Sequence, residues 1–187
     1  EGCGYFQVNQ NKGIRWTTAK GFLKPVMDRP NLTVLTEAQA TGVTLEGKRC
    51  TGLTVVHKDR LARVQAGREV ILSGGSIGSP QLLQLSGIGP AHHLQGLGIA
   101  INHDLPGVGE NLQDHLQIRA VYKVKNTKTL NERANSLIGK IGIGLEYFLF
   151  KRGPMTMAPS QLGGFAKSDT DKEMPNLEYH VQPLSLP

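Results

Sequence analysis

Cysteine is scarce in this sequence, and the two present, Cys3 and Cys50, stand too far apart to form a metal-ligand or redox spacing. Zinc-ribbon and dithiol chemistry are thereby excluded, and two reduced thiols in a cytosolic protein are expected. Aromatic residues are 5% of the 187, with a single tryptophan, so no stacking platform or reader helix for nucleic acid can be assembled. The most apolar long stretch, residues 137–150, is interrupted by Lys140 and Glu146 and falls short of the roughly 20 residues that span a bilayer, so no transmembrane segment is expected. There is no basic segment leading into an apolar core and cleavage site, no repeat period and no low-complexity tract. The chain begins at Glu1 and closes on Leu184-Ser185-Leu186-Pro187, and it reads as a cut from a larger protein.

What is present is a moderately apolar, basic chain. At 39% hydrophobic residues it has enough material for a core, and its length suggests one or two domains. The net charge is +6. Lys and Arg outnumber Asp and Glu by eleven to six in residues 1–72, but by only ten to nine in residues 73–187. Charge so dispersed suggests a solvated basic face, or one accompanying a phosphate-bearing cofactor, and no nucleic-acid partner.

The order of elements predicts a mixed α/β (α+β) fold. Thr17-Thr18-Ala19-Lys20-Gly21-Phe22-Leu23-Lys24 suggests a short helix ahead of Pro25, followed by a turn at Asp28-Arg29-Pro30-Asn31. The β-branched runs Leu32-Thr33-Val34-Leu35, Ala40-Thr41-Gly42-Val43-Thr44-Leu45 and Gly52-Leu53-Thr54-Val55-Val56 predict a meander. Glu69-Val70-Ile71-Leu72 is apolar without alternation, as in a strand buried on both faces of a parallel sheet. Ser79 as cap, Pro80 at the first helical position and Gly87 as terminator predict a short helix. After residue 118 the texture changes, and a helical stretch around residues 135–150 precedes two strands, Gly163-Gly164-Phe165-Ala166-Lys167-Ser168 and Asn176-Leu177-Glu178-Tyr179-His180-Val181. Two domains, 1–118 and 119–187, are expected.

The segment joining the apolar run to the capped helix is the strongest local feature. Ser73-Gly74-Gly75 leaves backbone N–H groups unobstructed, and a helix N-terminus just beyond adds positive potential that favours close approach by a nucleotide. A Gly-rich connection in any α/β protein has the same spelling, so the residues alone leave both readings open. His92-His93 lacks a third ligand at metal spacing and suits a short exposed helix, and no metal site is expected. His115, beside Asp114, is expected to be buried or to cap a helix. Trp16, Tyr5, Tyr147 and Tyr179 are scattered, which suits core packing or interface filling and forms no visible cage for a quaternary ammonium.

A specific resemblance rests on five ordered blocks. Gly75-Ser76-Ile77-Gly78-Ser79-Pro80-Gln81-Leu82-Leu83-Gln84-Leu85-Ser86-Gly87-Ile88-Gly89-Pro90 resembles the second motif of the glucose-methanol-choline (GMC) oxidoreductases. Leu105-Pro106-Gly107-Val108-Gly109-Glu110-Asn111-Leu112-Gln113-Asp114-His115 resembles the block that follows it in that family. Upstream, Gly4-Tyr5-Phe6-Gln7, Arg15-Trp16-Thr17-Thr18-Ala19 and Arg29-Pro30-Asn31-Leu32-Thr33-Val34-Leu35-Thr36 are similar to the family in its order. The likeness is greatest to choline dehydrogenases and related acceptor-dependent alcohol dehydrogenases.

The resemblance implies part of a two-domain flavoprotein: an FAD domain similar to a dinucleotide-binding fold, with a β-meander, and the start of a sheet-and-helix substrate domain. It further implies that Ala40, Ser73, Gly74 and Gly75 lie near the adenosine half of FAD. Ala40 stands where Val is usual in the family, and Gly74 where Ala is usual. The family's pyrophosphate-binding Gly-x-Gly-x-x-Gly turn has no counterpart opening a helix here. Gly107-Val108-Gly109 and Gly142-Ile143-Gly144 are the nearest spellings, in a proline turn and inside a helical pattern. The family's proton-accepting histidine belongs to a C-terminal motif absent from this sequence, so no catalytic residue is assigned. The expected function is a segment of an FAD-dependent enzyme oxidising a primary alcohol, choline among the candidates, to its aldehyde. The electron acceptor is undetermined and the location cytoplasmic, free or peripheral to the inner membrane. A flavin-bearing lyase of the same family and a non-catalytic folding unit made by truncation are the competing readings.

Overall fold

The computed structural model describes residues 1–158 and 160–184, so the closing Ser185-Leu186-Pro187 lie outside the described residues. The chain divides into two compact units, the first made of residues 1–32 with 118–187 and the second of residues 33–117. The architecture mixes helices with small antiparallel sheets, as the sequence predicts.

In the first unit, residues 1–32 supply strand β1 (Gly2–Tyr5), the short pair β2 (Gln10–Asn11) and β3 (Ile14–Arg15), a π-helical turn at Ala19–Leu23 and a 3-10 turn at Lys24–Val26. The helix expected before Pro25 is thus present. Pro25 sits inside the second turn, where its missing N–H would have had no helical partner anyway.

The rest of the unit is helical and then stranded, matching the expected texture. Strand β9 (Leu162–Ala166) is the centre of an antiparallel sheet ordered β1-β9-β10, with β10 spanning Leu177–Val181. Gly163 on β9 lies under the Phe6 ring, and the ring stacks 5.0 Å from that of His180, so this glycine makes room for an aromatic contact across the sheet.

Helices α3 (Leu130–Asn135) and α4 (Leu137–Phe150) are each opened by a hydroxyl. Thr129 Oγ1 accepts from the Glu132 N–H at 3.3 Å, and Ser136 Oγ from the Gly139 N–H at 3.4 Å. Arg133 and Glu146 join the two helices through an ion pair of 3.0 Å. Lys151, in left-handed geometry (φ 52°), ends α4 and places its ammonium 4.6 Å from the centre of the Tyr147 ring. No helix among the described residues is long and apolar enough to cross a membrane.

The second unit is built on a three-stranded meander, β4 (Ala38–Glu46), β5 (Arg49–His57) and β6 (Arg60–Gln65). The meander was expected, but its members differ. Residues 32–35 belong to no strand, and Lys58-Asp59 turns the chain into β6 instead. Both turn residues adopt positive φ, 50° and 59°, which Asp tolerates.

The expected buried strand at residues 69–72 is not there. The segment pairs with no described strand, and Ile71 is 76% exposed. An unbroken apolar run becomes a buried strand only when neighbours flank both of its edges, and neighbours are a tertiary property. The one parallel pairing among the described residues joins the two-residue strands β7 (Ile88–Gly89) and β8 (His103–Asp104).

The predicted helix exists, but it starts earlier. Helix α1 runs Gly75–Leu85 with Gly74 as N-cap, so Ser79 is not the cap and Pro80 lies inside the helix. Gly87 follows the C-cap at φ 76°, as expected of a terminating glycine, and its Cα approaches the Ala100 carbonyl too closely for any side chain.

Candidate functional site

Two of the blocks that carry the resemblance, residues 75–90 and 105–115, are bound to one another. Helix α1 ends at Ser86, which is buried, and its hydroxyl bridges two elements. Ser86 Oγ donates to the Leu82 carbonyl at 2.6 Å and accepts from the Val43 N–H at 2.8 Å. Val43 belongs to β4, an edge strand of the meander, and register shifts between Ala40 and Gly42 and between Thr44 and Leu45 flank it on either side. An edge N–H with no strand to receive it is thereby satisfied by a side chain.

From the same corner, Asn102 Nδ2 donates to the Ser86 carbonyl at 2.8 Å, and the N–H groups of Asn102 and His103 converge on the Gly87 carbonyl. Gln84 Nε2 reaches the Val108 carbonyl at 3.0 Å, and Asp104 Oδ1 accepts the Ala91 N–H that opens helix α2 (Ala91–Gly96). Leu94, fully enclosed, and Val108 form the apolar centre of this knot.

The knot holds α1 by its C-terminal end and leaves the N-terminal turn free. Ser73, Gly74 and Gly75 are exposed. Gly75 has φ 79°, a conformation that side chains resist, and there is open space where its Cβ would be. The Gly74 N–H donates to Ser79 Oγ at 2.9 Å. The remaining first-turn N–H groups have no partner within the helix, and together with its dipole they make a surface suited to an anionic or strongly polar ligand. Ala40, half-buried on β4 opposite Val55, lies in the same unit, on the strand against which α1 packs.

The other candidates fall elsewhere. His115 is exposed on an irregular segment, neither buried nor capping a helix as expected; its N–H donates to Asp114 Oδ1 at 2.8 Å. His92 and His93 lie exposed on the short helix α2, as the sequence suggests. Among the described residues no group of His, Cys, Asp and Glu is arranged to hold a metal ion. Cys3 and Cys50 are free thiols. Trp16, Tyr5 and Tyr179 are not core residues, since they are 42%, 86% and 55% exposed. Gly107-Val108-Gly109 lies in a turn and Gly142-Ile143-Gly144 inside α4, the contexts expected of them. Sequence reasoning missed the roles of Gln84, Ser86 and Asn102; the sole local signal was their polarity within otherwise apolar runs.

Residues 1–117 match the family model described as GMC oxidoreductase. The chain belongs to this family. This GMC chain is 44% identical over 189 residues to an alcohol dehydrogenase [acceptor] of Pseudomonas putida, covering all of this chain and 34% of that protein. It is 43% identical to an oxygen-dependent choline dehydrogenase of Stenotrophomonas maltophilia, covering 94% of this chain and 31% of the relative. The chain thus spans about a third of the length of the curated relatives it matches. Among solved structures, an FAD-dependent oxidoreductase from Chaetomium thermophilum superposes with a TM-score of 0.75 at 28% identity, over 84% of this chain and 28% of that one. The FAD expected from the sequence blocks agrees with that neighbour's description.

Proposed function

We propose that this GMC chain is the part of an FAD-dependent dehydrogenase that receives the adenosine half of the cofactor, in an enzyme oxidising a primary alcohol, choline among the candidates, to its aldehyde. The observation that carries the reading is the alignment, along the whole chain, with an alcohol dehydrogenase [acceptor] at 44% identity. Ala40, Ser73, Gly74 and Gly75 are the residues assigned to the cofactor. Their fit rests on an exposed turn without bulky side chains, at a helix N-terminus whose far end is anchored by the Ser86 corner. When bound, FAD supplies the hydride acceptor for alcohol oxidation. This chain's own residues hold and orient one end of it, and none of them is assigned a proton-transfer role. A cytoplasmic location, free or peripheral to the inner membrane, belongs to the same proposal.

The test uses the full-length protein that contains this segment. Purified with FAD, it is expected to reduce a dye acceptor with choline or another primary alcohol from a panel, and to yield the aldehyde in equal amount. Absence of flavin, or flavin without turnover on any alcohol of the panel, overturns the proposal.

A further inference from the structure

Ser79 reads from the sequence as a helix cap, yet the structure places it five residues inside that boundary and gives its hydroxyl a different partner. Its Oγ accepts the Gly74 N–H at 2.9 Å, closing a loop of backbone that runs from Gly74 through Gly75 to Ser79. The loop is tight. A Cβ on Gly74 would lie 3.1 Å from the Ser79 nitrogen and 3.2 Å from the Gly78 carbonyl carbon. Pro80 follows at once and weakens this first turn in two ways. It cannot donate to the Ser76 carbonyl, and its ring disfavours helical geometry at the residue before it, which is Ser79. A helix opening on two glycines and carrying an internal proline has little intrinsic preference for one shape. The Ser79 hydroxyl is a side-chain contact that closes the turn on itself.

We infer that Ser79 is a positioning residue for the cofactor: its hydroxyl holds the Ser73–Gly75 turn in the shape that accepts the adenosine half of FAD. The inference rests on the reading of that turn as part of the FAD site. Ser79 does not touch the cofactor in this account. It acts through the Gly74 N–H, whose direction sets the orientation of the Ser73–Gly74 peptide plane. Losing one such hydrogen bond corresponds to about a three- to tenfold change in an equilibrium.

The experiment measures FAD affinity of the full-length apoprotein, with the site mapped separately by photolabelling with an azidoadenine analogue of FAD. The expected result is labelling of the peptide bearing residues 73–79 or Ala40, with FAD affinity about three- to tenfold weaker in Ser79→Ala and within about twofold of the parent in Ser79→Thr, which keeps the hydroxyl. Should Ser79→Ala not fold, Ser79→Cys, with a poorer acceptor of similar size, provides the same comparison. Label on that peptide combined with unchanged FAD affinity overturns the role of Ser79 and leaves the site standing. A fall in the apoprotein's unfolding midpoint with unchanged FAD affinity has the same consequence, because the hydroxyl is then only structural. Label on other peptides overturns the reading of the turn as part of the FAD site, and this inference with it.

Discussion

Ser86 holds together more of its unit than a hydroxyl usually does, because it is buried and both of its hydrogen-bonding capacities are used on backbone groups of different elements. Replacing it by Ala leaves the Val43 N–H without its acceptor in a place where water has little access. Ser86→Ala is therefore expected to destabilise the meander and α1 by about 1–3 kcal/mol, measured by urea unfolding. Ser86→Thr, which retains the hydroxyl but adds a methyl group against Gly42, should lose part of that stability through crowding. An Ala variant as stable as the parent would show that the corner relaxes to admit water. None of this is legible locally. In the sequence, Ser86 stands in Leu85-Ser86-Gly87 like any residue near a helix end, and its partner Val43 lies more than forty positions away.

At the scale of elements, α1 shows how a local rule can be right in kind and wrong in place. Serine before proline commonly opens a helix, yet here the helix continues five residues further toward its N-terminus and takes the proline into its interior. The lost hydrogen bond and the ring's crowding make the first turn weaker than the last. Pro80→Ala is expected to stabilise α1 by about 1–2 kcal/mol, less than the full cost of an interior proline because the unfolded chain also gains freedom. A raised thermal midpoint with no change in the meander's amide exchange would support this, and an unchanged or lowered midpoint would refute it. Helix α4 shows a different mismatch. Ile138, Leu149 and Phe150 are among its exposed side chains, so its 14 residues present an apolar surface with little to cover it within the unit.

For the whole molecule the amount of buried apolar material is small. Among the described residues only Val55, Leu94 and Val108 are buried large hydrophobics, and of these only Leu94 is fully enclosed. Elements with so much apolar surface uncovered have little to oppose the conformational entropy of ordering them. Nor does the chain contain the Gly-x-Gly-x-x-Gly turn that would receive the pyrophosphate. The purified 187-residue chain is therefore expected to retain no stoichiometric FAD through gel filtration, and a flavin absorption spectrum co-eluting with it would contradict this. It is also expected to oxidise no alcohol when FAD and a dye acceptor are supplied. Sustained dye reduction abolished by His115→Ala would show that the catalytic base had been misplaced. The dispersed positive charge predicts weak binding to duplex DNA that vanishes with added salt; salt-resistant, sequence-specific binding would contradict it.

What the sequence by itself determined is local or cumulative. The family was legible because several blocks occur in order. The α1 terminator at Gly87, the strands β9 and β10 and the helical stretch ending at Phe150 were legible because turn residues and local residue preferences act over a few residues. Tertiary structure alone decided which segments acquire neighbours. Residues 69–72 have the composition of a buried strand and none of its pairing, whereas Gly2–Tyr5, with little strand character, pairs along its length with β9. Likewise Ser79 clamps a turn and does not cap a helix, and Ser86 receives an N–H from a strand remote in sequence. Hydrogen-bond partners and flanking strands are set by which surfaces meet, and a run of residues does not encode the surface that will meet it.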